Sequence, residues 1–304
     1  MISDMKYAIT GGAGFIGSNI AKLLVKNGHQ VIVIDNLHTG SLFRLKDIQD
    51  KIIFHKIDIR DYEKLKNSIT DIDGIFHQAA LTAVPESFLK PKEYFDVNVN
   101  GTKNVFMIAK ELGVKVVFAS SSSIYGDVTK IPIKENFEKN PINPYGKTKV
   151  EKENLAERFW SEGVSIIGLR YFNVYGKGQT GTYAGVITQF MKKLNENLSP
   201  VIHGKGNQIR DFISVEDVAL ANLKSMEFNT LQGFFNVGTG KSISILELAK
   251  MMIKISSKNV LPNFDEEQPG DIEKSQADTT LSNEKINWNY KIELSDGLKK
   301  LMTE

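Results

Sequence analysis

Two places in this chain set a lysine four residues after a tyrosine, where a helix stacks them on one face. They are Tyr145 with Lys149, in "NPYGKTKVEK", and Tyr62 with Lys66, in "DYEKLK". A phenol beside an ammonium can serve as a general base. Its ordinary pKa is about 10, and a cation one turn away favours the ionised form. Ionisation near neutrality requires roughly 4 kcal/mol of added stabilisation, which positive charges in a water-poor crevice can supply. The surroundings decide between the pairs. Upstream of Tyr145, the apolar run "VVFA" ends in Ser120, Ser121, Ser122 and Ser123. Hydroxyls clustered past a strand end can bond a substrate alcohol or carbonyl. No such cluster leads to Tyr62, so Tyr62 and Lys66 read as a solvated helix face. Asn143 is a candidate cap and Pro144 a first helical residue, which puts Tyr145 in the first turn.

A second pattern lies near the start. "YAITGGAGFIGSNIAKLLV" sets Gly12, Gly14 and Gly17 in G-x-G-x-x-G, and Gly11, Gly14 and Gly17 in G-x-x-G-x-x-G. A strand pattern precedes the glycines and an amphipathic helix follows. Asp35 ends the next strand, eighteen residues after Gly17. That context fits a dinucleotide: backbone approaches the pyrophosphate at a helix N-terminus, and the acid binds the adenosine ribose. A carboxylate there repels a 2′-phosphate, which favours NAD over NADP. "NVGTGKS" imitates a phosphate loop, but the pattern needs glycine where Phe235 stands. Ser244 and Glu247 instead form a capping box before "ILELAK".

These residues need elements to hold them. Strand patterns at Tyr7–Thr10, Val31–Ile34, Ile52–His55, Gly74–His77, Val114–Ser120 and Val164–Leu169 alternate with helical ones. Those helical segments include Ile16–Lys26, Asn100–Lys110 and Tyr145–Trp160. Near-continuous Val/Ile runs imply strands covered on both faces. The fold class is therefore α/β: a Rossmann-type, doubly wound parallel sheet with a smaller C-terminal α/β domain. The expected division is residues 1–172 for the dinucleotide and 173–304 for the smaller domain, with some later segments returning to the first.

The 304 residues carry 38 basic and 36 acidic side chains, a balance without the basic footprint of a nucleic-acid or anionic-membrane binder. There is no cysteine, and the five histidines show no metal spacing. No stretch approaches the ~18 apolar residues of a membrane span. The expectation is a soluble cytoplasmic protein that binds neither nucleic acid nor membrane and holds no metal.

Taken together, "TGGAGFIG", "DIRD", "HQAA", "NVNGT", "SSSSIYG", "YGKTK" and "RYFNVYG" resemble the extended short-chain dehydrogenase/reductase superfamily, and within it the UDP-glucose 4-epimerases. The similarity runs from Tyr7 to about Leu298. It implies NAD, a UDP-sugar substrate, a homodimer, and inversion at C4 through a transient 4-keto sugar. Ser121, Tyr145 and Lys149 would be catalytic, with Ser122 and Thr82 beside the sugar. Gly11, Gly14, Phe15, Ile16 and Gly17 would hold the pyrophosphate, and Asp35, Asn36, Asp58 and Ile59 the adenosine. Gln78, Ala79, Ala80, Asn98, Ser120 and Tyr171 would complete the cofactor site. Asn173, Val186, His203, Arg210, Gln268, Asp271 and Ser275 would line the UDP-sugar site.

The resemblance also discriminates. Sugar dehydratases of this superfamily place Asp and Glu after the catalytic hydroxyl, where this chain has Ser122 and Ser123. UDP-glucuronate decarboxylases carry a glutamate at the second of these. Gln268 replaces an arginine that relatives set on the UDP phosphates, while Asp271 is kept for the uridine ribose. Ser275 stands where a tyrosine restricts some relatives to plain hexoses, so 2-acetamido sugars are expected to fit as well. The alternatives are a UDP-glucuronate 4-epimerase or another nucleotide-sugar epimerase/dehydratase, and a catalytically silent NAD sensor.

Overall fold

The computed structural model describes residues 4–180, 185–267 and 272–303. Seven strands form one parallel sheet: β1 (Lys6–Thr10), β2 (Gln30–Asp35), β3 (Ile52–Lys56), β4 (Gly74–His77), β5 (Lys115–Ser121), β6 (Ile166–Tyr171) and β7 (Gln232–Val237). Their order is β7-β6-β5-β4-β1-β2-β3, every neighbouring pair parallel. The first six lie within two residues of the expected spans, whereas β7 was not foreseen.

Parallel strands need crossovers that cover the faces. Here α1 (Phe15–Lys26), α2 (Gly101–Leu112), α3 (Pro144–Ser161) and α4 (Val215–Glu227) supply them. Adjacent strand residues point to opposite sides. Ile9, Val33, Val117 and Ile167 pack with Ile20 and Leu24 of α1 and Val218 and Leu223 of α4. Their neighbours Ala8, Ile32, Val116 and Ile166 pack with Phe106 of α2 and Ala156 and Phe159 of α3. Two-sided burial explains why the strand runs are apolar throughout rather than alternating.

Beyond Phe172 the chain serves both this sheet, through α4 and β7, and a smaller core. That core gathers Phe190 and Leu194, Ile202, Leu248 and Met252 of α5 (Ile245–Ser256), and Leu298. Short strand pairs brace it: Asn173–Tyr175 with Phe212–Ser214, Ile209–Arg210 with Ile243–Ser244, and Val201–His203 with Asn263–Asp265. The Ser244–Glu247 capping box opens α5 as expected.

The β1–β4 neighbourhood is the point where strand order reverses, and ligands of open α/β sheets bind beyond such a point. Two loops nearly touch there. Gly11 has φ +69°, and a Cβ on it would stand 2.6 Å from the Ala79 nitrogen. A Cβ on Gly17 would meet the Gly11 carbonyl oxygen at 2.2 Å. Gly17→Ala should therefore destabilise the protein by roughly 1–3 kcal/mol through overpacking. The measurement is a lower urea midpoint at unchanged m-value.

Candidate active site

β5 delivers the serines and α3 the tyrosine. Ser121, the last residue of β5, accepts from the Ser123 amide at 3.2 Å and turns the chain out of the sheet. At the start of α3, Asn143 Oδ1 accepts from the Gly146 amide at 2.8 Å with Pro144 as the first helical residue. The Tyr145 amide donates to Ser87 Oγ at 3.2 Å. These contacts fix the first turn and set the half-buried Tyr145 beside Ser121, whose hydroxyl favours the ionised phenol. Lys149, only 2% exposed, lies one turn on with Nζ 5.4 Å from the Tyr145 ring centroid, donating to the Ala119 carbonyl at 3.0 Å. Fully buried Asn98 links the loop after β4 to α3: it bonds both backbone groups of Leu81 and donates to Thr148 Oγ1 at 3.0 Å.

Burial governs the charges. Desolvation pushes Tyr145 up to about 12, against the bond from Ser121. It pulls Lys149 down to about 8, against the pull of Glu153. The Lys149 ammonium, hydrogen-bonded to Ala119, stands near the phenol, but desolvation outweighs its field. The protein groups by themselves keep Tyr145 protonated, and its ionisation near neutrality needs a further positive charge beside the ring.

Behind the pair lies a polar network with no local sequence signal. Glu153 accepts from Arg170 Nε at 2.9 Å and Nη2 at 2.8 Å, from Ser120 Oγ at 2.7 Å and from Lys139 Nζ at 2.9 Å. Arg170 also donates to Tyr125 Oη and the Glu135 carbonyl. Ser120 thus turns its hydroxyl into this network. His77, at the end of β4, is held between Thr10 Oγ1 at 2.6 Å and Thr102 Oγ1 at 2.8 Å. Since Thr102 donates to the Asn98 carbonyl, the His77 ring is assigned the Nε2–H tautomer, and burial keeps it neutral.

The glycine turn opens onto a cleft lined by Gly11, Gly14, Asp35, Asn36, Asp58 and Ile59, with Gln78, Ala79 and Ala80 across from them. Phe15, Ile16 and Gly17 form the first turn of α1. Asp35 accepts from the Ala13 amide at 3.0 Å and the Leu37 amide at 2.8 Å, leaving lone pairs for ribose hydroxyls. Arg60 beside Asp58 holds that carboxyl far below the usual range, and Asn36 donates to it at 3.0 Å. The tight Gly11 and Gly17 contacts leave room for backbone alone, which fits a pyrophosphate lying across them. Tyr171 Oη meets Gln78 Oε1 and Asn222 behind this cleft. Arg44 ties the walls: it donates to the carbonyls of Ala13, Thr39 and Gly178 and to Thr180 Oγ1.

A second cleft, of about 630 Å³, is lined by His203, Lys205, Gln208, Asp127, Glu273 and Lys274. Arg210, 7% exposed, adjoins it and donates to the Ile209 carbonyl at 2.8 Å. Ser275, 1% exposed, is fixed by its amide on the same carbonyl at 3.1 Å. The Asn173 amide bonds the Asp211 carbonyl, Val186 opens the helix Val186–Asn195, and Thr82 stands exposed past β4. Gln268 and Asp271 lie outside the described residues. Tyr62 and Lys66 both bond Glu111 on the surface, and the "NVGTGKS" loop turns its Thr239 and Gly240 amides onto the Asp211 carboxylate. Among the described residues no helix is long and apolar enough to cross a membrane, and no cluster of potential metal ligands occurs.

A parallel sheet with a glycine cradle at its switch point, and a serine–tyrosine–lysine set two strands away, is the architecture of the extended short-chain dehydrogenases/reductases. The chain belongs to the NAD-dependent epimerase/dehydratase family, whose model matches residues 7–238. A UDP-glucose 4-epimerase of Lactobacillus helveticus is 33% identical over 315 residues, covering 96% of this chain and 94% of that protein. Among solved structures, a UDP-N-acetylglucosamine 4-epimerase of Methanobrevibacter ruminantium in complex with UDP-N-acetylmuramic acid superposes with a TM-score of 0.95 at 34% identity, covering 99% of this chain and 98% of that one. A UDP-glucose 4-epimerase of Thermotoga maritima with UDP-glucose gives a TM-score of 0.94 at 34% identity, covering 98% of both chains.

Lys152 is fully buried over the Phe118 ring, and its Nζ finds no hydrogen-bond partner. Desolvation, then Lys149, lowers its proton affinity well below the ordinary 10.5. Its proton affinity is lower in the native state than in the unfolded chain, so the unfolded chain binds more protons and this group makes stability rise as pH climbs toward 10.5. Lys152→Met should raise Tm at pH 7, with the gain shrinking as pH approaches 10.5 in a calorimetric series.

Proposed function

We propose that the protein interconverts UDP-hexoses epimeric at C4, with NAD as a resident cofactor. The carrying observation is Tyr145 beside Ser121 with Lys149 one turn away, its Nζ 5.4 Å from the ring, at the crevice of an NAD-family fold. Bound NAD supplies a hydride acceptor for the sugar C4 and returns the hydride. Tyr145, aligned by Ser121, would take the 4-hydroxyl proton and give it back once the keto sugar has turned its other face. Lys149 would bond the nicotinamide ribose and add positive charge near the phenol. Gly11, Gly14 and Gly17 would admit the pyrophosphate, Asp35 and Asp58 the adenosine. Asn173, His203 and Arg210 would hold the UDP group, Arg210 through a fork of donors suited to a diphosphate. Residues 1–172 would form the NAD unit and 173–304 the sugar-nucleotide unit, with α4 and β7 lent back.

Ser122 and Ser123 offer hydroxyls where dehydration needs carboxylates, and this favours epimerisation. The small side chain of Ser275, where a tyrosine would be bulky, supports acceptance of a 2-acetamido group, in keeping with the relative named for UDP-N-acetylglucosamine. A cytoplasmic homodimer completes the reading. Its support is the exposure of Phe88, Leu89 and Phe95 on two short helices packed against α3.

Incubation with UDP-glucose, UDP-N-acetylglucosamine and UDP-glucuronate, followed by chromatography, should show C4 epimers of the first two. Tyr145→Phe should retain NAD and lose about 10²–10⁴-fold in kcat, and wild-type turnover in it would move the base elsewhere. Ser275→Tyr should abolish turnover of the acetamido sugar and spare the plain hexose. Equal loss for both would refute the gate.

A further inference from the structure

We propose that Glu153 is a positioning residue for proton transfer: it seats the strand end that carries Ser121 and keeps the Lys149 ammonium charged beside Tyr145. This rests on the reading of Tyr145 and Lys149 as the reacting pair. Glu153 is fully buried, one turn past Lys149 on α3. Lys149 bonds the carbonyl of Ala119 at 3.0 Å, and Glu153 accepts the hydroxyl of Ser120 at 2.7 Å. One helix therefore grips two consecutive residues of β5 with an ammonium and a carboxylate, and the next residue is Ser121.

The charge balance gives Glu153 its second task. Around Lys149 stand Tyr145 and Lys152 on its own helix, neutral His77 on β4, and Arg170 on β6. Lys139 reaches Glu153 from the surface and also meets Glu157 at 3.6 Å. Beyond Arg170 lie Tyr125 and Glu135, whose carboxylate accepts from the Asn236 amide. Glu153 is the carboxylate in this set that supports the Lys149 proton. Low-dielectric surroundings strengthen its field. Without it, Lys139 would keep only Glu157 and Arg170 only Glu135, while Lys149 would have no carboxylate in this set and would give up its proton most readily. A neutral Lys149 cannot favour the phenolate.

A pH–rate series on the NAD-loaded enzyme separates this from a simple helix clamp. Glu153→Gln should move the alkaline limb of kcat down by about one pH unit, with KM for the UDP-sugar nearly unchanged. Lys139→Met, at a side chain 25% exposed and therefore tolerant of change, should move the same limb upward by removing a cation that competes for Glu153. Ser120→Ala should lower kcat and leave the limb in place. These opposite shifts support the proposal even if Glu153→Gln fails to fold, since the Lys139 variant carries the charge test alone. A limb unmoved in Lys139→Met, or moved downward there, overturns it. Tyr145→Phe run alongside separates the two levels: retained turnover refutes the reacting pair, whereas a silent Tyr145→Phe with unmoved limbs refutes Glu153 only.

Discussion

A guanidinium gripping a carboxylate in the dry space under β5 holds the candidate site in shape. Glu153 and Arg170 meet through two parallel bonds, which join α3 to β6 and, through Ser120, to β5. Losing one partner of such a pair costs roughly 3–5 kcal/mol, because the other charge is stranded. That penalty makes the mutual placement of helix and strand steep rather than soft. Ser121 leaves β5 on one side and Tyr145 opens α3 on the other, so their contact inherits this stiffness.

The same desolvation sets the chemistry. It raises the Tyr145 phenol and depresses the Lys149 ammonium, driving their proton affinities apart. With Lys149 alone nearby the phenol stays protonated, and its ionisation waits for a second positive charge beside the ring. In the proposed reaction that charge comes with the oxidised cofactor, so the base is switched on in the redox state that can accept hydride.

Much of this was legible in the sequence. Continuous Val/Ile runs reported doubly covered strands, and the Gly11–Gly17 turn with Asp35 marked the crevice. The cap residues Asn143 and Pro144 located Tyr145 to the residue. β7 escaped because "QGFFNVG" follows a stretch of short, loop-rich elements, and its strand character comes from pairing with β6 across the fold. Glu153 and Lys152 escaped for another reason. In "TKVEKENLAERF" they look like solvated charges, and only the packing of α3 against β5 buries them. The direction of the Tyr145 shift was likewise invisible, since spacing reveals a nearby cation but not what water has been removed.

Arg44 has a consequence for cofactor turnover. Its four bonds staple the glycine turn and the Thr39 loop to Gly178 and Thr180, which come from the far side of the fold. An enzyme that oxidises and then re-reduces one molecule must not let its electron carrier wander off halfway, or product and carrier both leave in the wrong oxidation state. Fastening these segments from two directions would slow the escape of a bound carrier. On this view the latch guards fidelity more than affinity.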